Sequence, residues 1–226
     1  MVDRFVVFDH VQAPRGKSWL TRNRILVQGQ AQWLTMPTHR SGTGLQPVAE
    51  VRVQWESPLV AKHLRTLQAE YGRHPHFDEV YAIVSDLYAR QPPLIADFNA
   101  ACFAAVLARL GLGTELVRSS ELAARNPRLL ELSGNELVVA TCQAAGADEY
   151  VSGEGCLDFI DPPAFEAEGI AFWFQRYRHP EYPQKGASEF VAGLSALDAM
   201  FNCGFERTRE LVGREARERV AARIGR

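Results

Sequence analysis

Short runs of branched and aromatic residues alternate along this chain with longer helical stretches, and this alternation restricts the fold more than any other feature. Strand-like runs occur at Phe5–Phe8, Glu149–Val151 and Ile170–Phe174, with helical patterns between them. Parallel strands need a crossover of about a dozen residues or more, usually a helix, whereas a tight turn suffices for a hairpin. The order therefore predicts an α/β fold with a mostly parallel sheet, helices on both faces, a small β-hairpin and a helical middle section.

The hairpin is predicted in the segment 22–36. Its first half alternates polar and apolar residues, Gly29-Gln30 forms the turn, and an aromatic-containing run returns. Alternation places Asn23 on the apolar face, where we expect a buried hydrogen-bonding residue. Arg22 and Arg24 share the opposite face.

Three helices are predicted in the middle of the chain. Ser57-Pro58 is typical of a helix start, with serine at the cap and proline at the first position. The next two helices are Phe77–Arg90 and Leu94–Leu110, separated by Pro92-Pro93. Since Leu94–Leu110 is apolar over most of its surface, we expect it to be the central buried helix.

Two further helices are predicted near the end, Phe190–Asn202, stopped by Cys203-Gly204, and Glu206–Ile224. The chain has 226 residues, 46% of them hydrophobic, and no linker long enough to divide it. A single domain over residues 1–226 is therefore expected.

Composition excludes several classes of protein. The formal net charge of -2 argues against nucleic acid as a partner. The four cysteines form no CxxC pair and no zinc spacing, so we predict a cytoplasmic protein with reduced thiols and no metal. Met1–Phe5 has no signal-peptide pattern, and the longest apolar run, Ala100–Ala108, is too short to span a membrane, which takes about 20 residues.

The charges are unevenly distributed. Between Asp9 and Glu50 there are basic but no acidic residues, and between Arg128 and Arg176 there are acidic but no basic residues. One interpretation is a site for an anionic small molecule, in which Arg22, Arg24 and Lys17 bind phosphate or carboxylate oxygens. The alternative is that these bases pair with the acidic segment.

Seven short motifs, in order along nearly the whole chain, resemble those of the WbqC-like protein family. They are Val7–Gln12, Arg22–Ile25, Trp33–Pro37, Lys62-His63 with Tyr71, Tyr150–Gly153, His179–Gln184, and Leu194–Asp198 with Asn202 and Gly204.

The resemblance implies a role in bacterial surface-polysaccharide (O-antigen) synthesis. The implied enzyme is a transferase that adds an aminoacyl (glycyl-like) or acyl group to an amino sugar, with a nucleotide sugar as substrate and no cofactor. The alternative is a non-catalytic ligand-binding or accessory protein of the same pathway. The resemblance also implies an opening strand and a His-Gln-Pro loop, which are absent before Phe5.

Two residues are candidates for catalysis. His63 is the candidate general base because the ordinary pKa of histidine is about 6.5; a packed helical histidine is the alternative. Asp9 follows a strand in a presumed ligand crevice, and a loop-capping aspartate is its alternative.

The other candidates are expected to bind substrate. Arg22, Asn23 and Arg24 would clamp a nucleotide-sugar phosphate, with Lys17 beside them. Ser152 and Gly153 end a strand and would offer backbone amides to an anion if a helix begins there, whereas a plain tight turn is the alternative. Tyr182 and Gln184 would contact a sugar or an amide, Gln12 is assigned through the resemblance, and the oligomeric state is not predicted.

Overall fold

The computed structural model describes residues 2–39 and 46–213 and the backbone of residues 216–218. The chain forms two compact units. Unit 1 consists of residues 1–10, 114–178 and 214–226, and unit 2 of residues 11–113 and 179–213. A single functional domain over residues 1–226 stays a prediction.

Helices and strands are mixed in the described part of the chain, which confirms the predicted α/β class. The strands are β1 Arg4–Val7, β2 Arg22–Val27, β3 Gln30–Thr35, β4 Thr38–His39, β5 Arg52–Val53, β6 Glu115–Arg118, β7 Glu149–Gly153, β8 Ala171–Arg176 and β9 Ala216–Glu218. The helices are α1 Pro58–Tyr71, α2 Phe77–Arg90, α3 Ile95–Arg109, α4 Ser119–Arg125, α5 Gly134–Ala144, α6 Pro162–Glu166 and α7 Ala196–Val212.

Unit 1 contains the parallel strand pairs. β1 pairs with β6, and β7 pairs with β8, which β9 joins in antiparallel orientation. The two parallel pairs belong to separate small sheets. Phe165, Phe172 and Phe174 anchor the core beside β8. The apolar run at Phe5–Phe8 favours a buried strand, but Phe5 is 44% exposed and Val6 and Val7 are half-buried, because β1 lies in a two-stranded sheet.

Unit 2 begins with the predicted hairpin of β2 and β3. Its turn lies at Gln28-Gly29, one residue earlier than expected, where both residues have positive φ (50° and 78°), as a type I′ turn requires. The expected burial of Asn23 was wrong: its side chain is exposed, and its Oδ1 accepts a hydrogen bond from the Arg24 amide. Burial in β2 follows position along the strand rather than alternation, since the adjacent Ile25 and Leu26 are both buried.

The three middle helices of unit 2 begin and end where local signals place them. The Ser57 hydroxyl caps α1, accepting from the Leu59 amide at 3.4 Å, and α2 has its predicted bounds. The expected central burial of α3 was wrong, because Phe103 is 48% exposed and only the first turn of the helix is buried. Alanine dominates the rest of α3, and alanine favours helix without requiring burial.

Helix α7 starts six residues later than predicted, at Ala196 rather than Phe190. The Ser195 hydroxyl caps it, accepting from the Leu197 amide at 3.3 Å. The predicted stop at Gly204 appears as a kink with φ 74° and ψ 179°. Of the predicted last helix, residues 206–212 belong to α7 and 216–218 form β9; residues 214–215 and 219–224 lie outside the described residues.

Candidate functional site

A cavity of about 350 Å³ lies within unit 2, and we call it the hairpin cavity. Strands β2 and β3 and helices α1, α2, α3 and α7 contribute to its wall, which is mostly apolar. Representative wall residues are Leu34, Met36, Leu67, Val84, Ile95 and Met200. Its wall includes the exposed residues Trp19 and Asn23, so the cavity opens to solvent, and its volume lies within the range of ligand pockets, roughly 300–1,000 Å³. The cavity is therefore a candidate ligand site.

Two arginines of β2 lie beside two exposed indoles. The Cζ of Arg22 is 3.9 Å from the Trp33 ring centroid, and that of Arg24 is 5.4 Å and 5.5 Å from Trp33 and Trp19. The indoles are themselves 4.8 Å apart. Cation–π contacts of this kind fix a guanidinium without consuming its N–H donors.

The electrostatics of these arginines favour an anion. The Nε atoms of Arg22 and Arg24 are buried and have no hydrogen-bond partner among the described residues. Gly193 leaves room for the Arg24 guanidinium, since a Cβ there would meet Nη2. Both arginines are half-buried, and an anionic ligand would supply a partner for the buried Nε donors.

His63 projects from α1 into the same cavity and is 5% exposed. Its Nδ1 lies 3.1 Å from the hydroxyl of Tyr88, which also lines the cavity. Burial lowers the pKa of His63, and the nearby Lys62 acts in the same direction, while a hydrogen bond with the Thr35 backbone opposes them. His63 is therefore a neutral imidazole near pH 7.

Tyr88 is a site residue that sequence reasoning missed. The only signal for it is its position one helical turn after Val84, which puts both on the apolar face of α2. Burial raises the pKa of its hydroxyl, so Tyr88 keeps its proton and shares a hydrogen bond with His63. Burial also raises the pKa of the Cys102 thiol to about 11, which makes this cavity-lining cysteine a poor nucleophile.

Arg22, Asn23 and His63 are thus brought together at one cavity, whereas other predicted residues are placed elsewhere. Lys17 and Gln12 are exposed in the loop before β2 and do not line the hairpin cavity.

Asp9 lies in unit 1, just after β1, and is fully buried. Its carboxylate accepts from the Arg118 Nε at 2.6 Å, the Ser120 amide at 2.8 Å and the hydroxyls of Ser120 and Ser119 at 2.9 Å and 3.2 Å. Burial by itself raises the pKa of Asp9, but the Ser120 amide, Arg118 and the Ser120 hydroxyl outweigh it, so the pKa lies below its ordinary value. This geometry matches the loop-capping alternative.

Ser152 and Gly153 end β7 in unit 1. The residues that follow, 154–156, form a single 3-10 turn instead of an α-helix, so the helix that the anion-site prediction needed is absent there. Glu154 in that turn pairs with Arg176 at 3.1 Å. The tight-turn alternative fits this geometry.

Tyr182 and Gln184 bind a buried carboxylate of their own unit. The Tyr182 hydroxyl donates to Asp198 Oδ2 at 2.9 Å, and the Gln184 amide donates to the same oxygen at 3.1 Å. Tyr71 donates to Asp198 Oδ1 at 2.7 Å. Gln184 also exchanges two hydrogen bonds with the Val191 backbone. The arrangement ties the segment before α7 to α1.

Within the ranges that the structure covers, no cluster of three histidine, cysteine or carboxylate side chains is placed to hold a metal ion. No helix in those ranges combines the length and apolar character needed to cross a bilayer.

Comparison with known proteins places the chain in a family. The family model described as "WbqC-like protein family" matches residues 1–210. "Uncharacterized protein Rv1507c" of Mycobacterium tuberculosis is 28% identical over 207 residues, which cover 91% of this chain and 86% of that protein. No solved structure matches the chain. Because the family model spans nearly the whole chain, the resemblance seen in the motifs is confirmed, and the protein belongs to the WbqC-like protein family.

Proposed function

We propose that this protein is a transferase of surface-polysaccharide (O-antigen) synthesis that moves an acyl or aminoacyl group onto the amine of a nucleotide-linked amino sugar. The biological setting follows from the resemblance of its motifs to the family. The observation that carries the assignment of the site is that Arg22, Asn23 and His63 line one cavity. In this assignment Arg22, and Arg24 beside it, bind the phosphates of the nucleotide sugar or of the acyl donor, since their Nε donors lack partners among the described residues.

The chemistry requires the removal of one proton. The amine nitrogen attacks the acyl carbonyl carbon, a C–N bond forms, and the bond from that carbon to the donor's leaving group breaks. Tyr88 is 3.1 Å from His63 Nδ1, so its hydroxyl takes the amine proton while passing its own proton to His63. The imidazolium then returns the proton through the Tyr88 hydroxyl to the leaving group. Asp9, which we proposed from the sequence as a second base, is assigned a structural role.

A non-catalytic ligand-binding protein is the second candidate. The observation in its favour is that polar groups of the cavity already bind protein partners: His63 pairs with Tyr88, and the Asn99 amide donates to the Leu20 carbonyl at 2.9 Å. Such a wall would hold a ligand without transferring a group.

A ligand screen by thermal shift tests the proposal, with nucleotide sugars that carry a free amine and with acyl and aminoacyl donors. A ligand at about 100 times its Kd stabilises by about 2.7 kcal/mol, which raises the Tm by roughly 5 to 10 °C for a chain of this size. We expect the shift in the wild type but not in Arg22→Gln. Arg52→Gln is the control, because Arg52 is exposed on β5 and does not line the cavity.

Mass spectrometry of the amide product then separates the two candidates. If His63→Gln binds but forms no product, the transferase is supported. If an amine acceptor and an acyl donor both bind the wild type and no product forms, the binding protein is the correct reading.

A further inference from the structure

The wall of the hairpin cavity restricts the chemistry of the group inside it. Among its polar side chains, His63 and Tyr88 bind each other and Asn99 binds a backbone carbonyl. The Ser195 hydroxyl caps α7. A sugar ring carries a hydroxyl on most of its carbons, and each buried hydroxyl needs a partner. The cavity interior therefore suits an apolar group rather than a sugar.

Two arginines, Arg22 and Arg109, line the cavity, and Arg22 lies at a part of the wall that is exposed. Arg22 and Asn23 follow the exposed Trp19 in sequence, and all three line the cavity. Asn23 is exposed, so this part is the rim. The Nε of Arg22 has no hydrogen-bond partner in the described ranges. The rim thus supplies a positive charge beside an apolar interior.

The volume sets the size of the apolar group. A volume of 350 Å³ is at the lower end of ligand pockets, roughly 300–1,000 Å³. At about 30 Å³ for a water-sized group, it holds about a dozen such groups. A glycyl group, with two carbons, would leave most of this space empty.

From these three features we infer that the hairpin cavity takes the apolar chain of a medium-length acyl compound, about eight to twelve carbons long, with its anionic end at Arg22. The inference deepens the proposed function and rests on it only for the identity of the site: it favours an acyl group over a glycyl group as the group transferred.

Binding measurements test the inference without any turnover. Calorimetry and tryptophan fluorescence, to which Trp19 at the rim contributes, report the Kd of decanoate, with decanol as the uncharged match. Ala105→Phe fills the cavity from α3, while Ala104→Phe alters the exposed neighbouring position, which does not line the cavity. We expect the Kd of decanoate to rise by about tenfold or more in Ala105→Phe and by less than about twofold in Ala104→Phe.

Further variants and ligands sharpen the result. Ala105→Leu gives an intermediate volume if Ala105→Phe fails to fold. Arg22→Gln should weaken decanoate by about tenfold and leave decanol unchanged. Decanoyl-coenzyme A, measured against coenzyme A alone, separates a phosphate-bearing acyl carrier from a free fatty acid.

Equal decanoate binding in Ala105→Phe and Ala104→Phe, or equal wild-type binding of decanol and decanoate, would overturn the inference. If an aminoacyl group is transferred while decanoate does not bind, the inference fails and the proposed function stands. If decanoate binds as expected but no amine acceptor is ever acylated, the inference stands and the proposed function fails.

Discussion

The hydroxyl of Tyr71 joins two buried groups, and its removal tests how unit 2 is held together. It donates to Asp198 Oδ1 at 2.7 Å and accepts from the Leu26 amide at 2.8 Å. Val27 and Gln30 close the hairpin turn, so Leu26 belongs to a non-hydrogen-bonded pair and its amide points away from β3. In Tyr71→Phe neither group has the hydroxyl as a partner.

The expected loss follows from these two contacts. A hydrogen bond to a charged group contributes about 1.5–3 kcal/mol, and a buried unsatisfied amide costs about 1–3 kcal/mol. Tyr71, Leu26 and Asp198 are 1%, 4% and 0% exposed, so water does not replace the hydroxyl. Together the two effects lower the free energy of unfolding by about 4 kcal/mol, or roughly 8–16 °C in Tm for a chain of this length.

Thermal and urea unfolding followed by circular dichroism measure the change. Tyr81→Phe is the matched control, because the Tyr81 ring stacks on Phe77 and its hydroxyl has no hydrogen bond among the described residues; its change should stay within about 0.5 kcal/mol. A double-mutant cycle of Tyr71→Phe with Asp198→Asn should give a coupling above about 1 kcal/mol. A loss below about 1 kcal/mol for Tyr71→Phe, or one equal to that of Tyr81→Phe, would refute the reasoning.

Three further predictions concern other parts of the chain. Gly204→Ala should lower the free energy of unfolding by about 3 kcal/mol, because φ is 74° and the new Cβ would lie 2.7 Å from the imidazole of His76. Gly113→Ala is the control, since its Cβ would meet open space, and urea unfolding midpoints compare the two variants. The pKa of His63 is lowered in the folded state, so the stability that its neutral ring contributes is present above about pH 6.5 and is lost as pH falls through the folded pKa. The Tm of His63→Gln should therefore depend less on pH below 6.5 than the Tm of the wild type. Asp9→Asn should lower Tm near pH 7, at a cost of about 2–4 kcal/mol, and its difference from wild type should vanish in acid, because the folded pKa of Asp9 is lowered; a constant difference at every pH would contradict this.

Elements with local signals were predictable from the sequence. A serine cap with proline after it set the start of α1, and Pro92-Pro93 separated α2 from α3. The start of α7 was not predictable, because two hydrogen bonds between Gln184 and Val191 hold the preceding segment in a non-helical path. The segment from Phe190 has a helical sequence pattern, and the sequence alone does not show the contacts that override it.

The sequence predicted several individual residues of the candidate site, but not which of them lie together. Arg22 and His63 stood out by charge and by pKa, yet nothing in their spacing showed that one cavity receives both. No sequence motif marks Tyr88, because its role depends on the ring of His63, which belongs to another helix. Tyr182 and Gln184 stood out by residue type, but their sequence pattern did not show that their polar groups face Asp198.

The division of unit 2 into two chain segments has a consequence for its biosynthesis. Residues 114–178, a stretch of 65 residues, separate its first segment from the second segment, which contains α7. At roughly 5–20 residues per second on the ribosome, that stretch takes about 3–13 s to make. Throughout this interval the hairpin and the first three helices exist without Asp198, and the Tyr71 hydroxyl has no carboxylate to bind. The nascent chain therefore exposes an incomplete core for seconds, and its burden on chaperones should fall once α7 emerges.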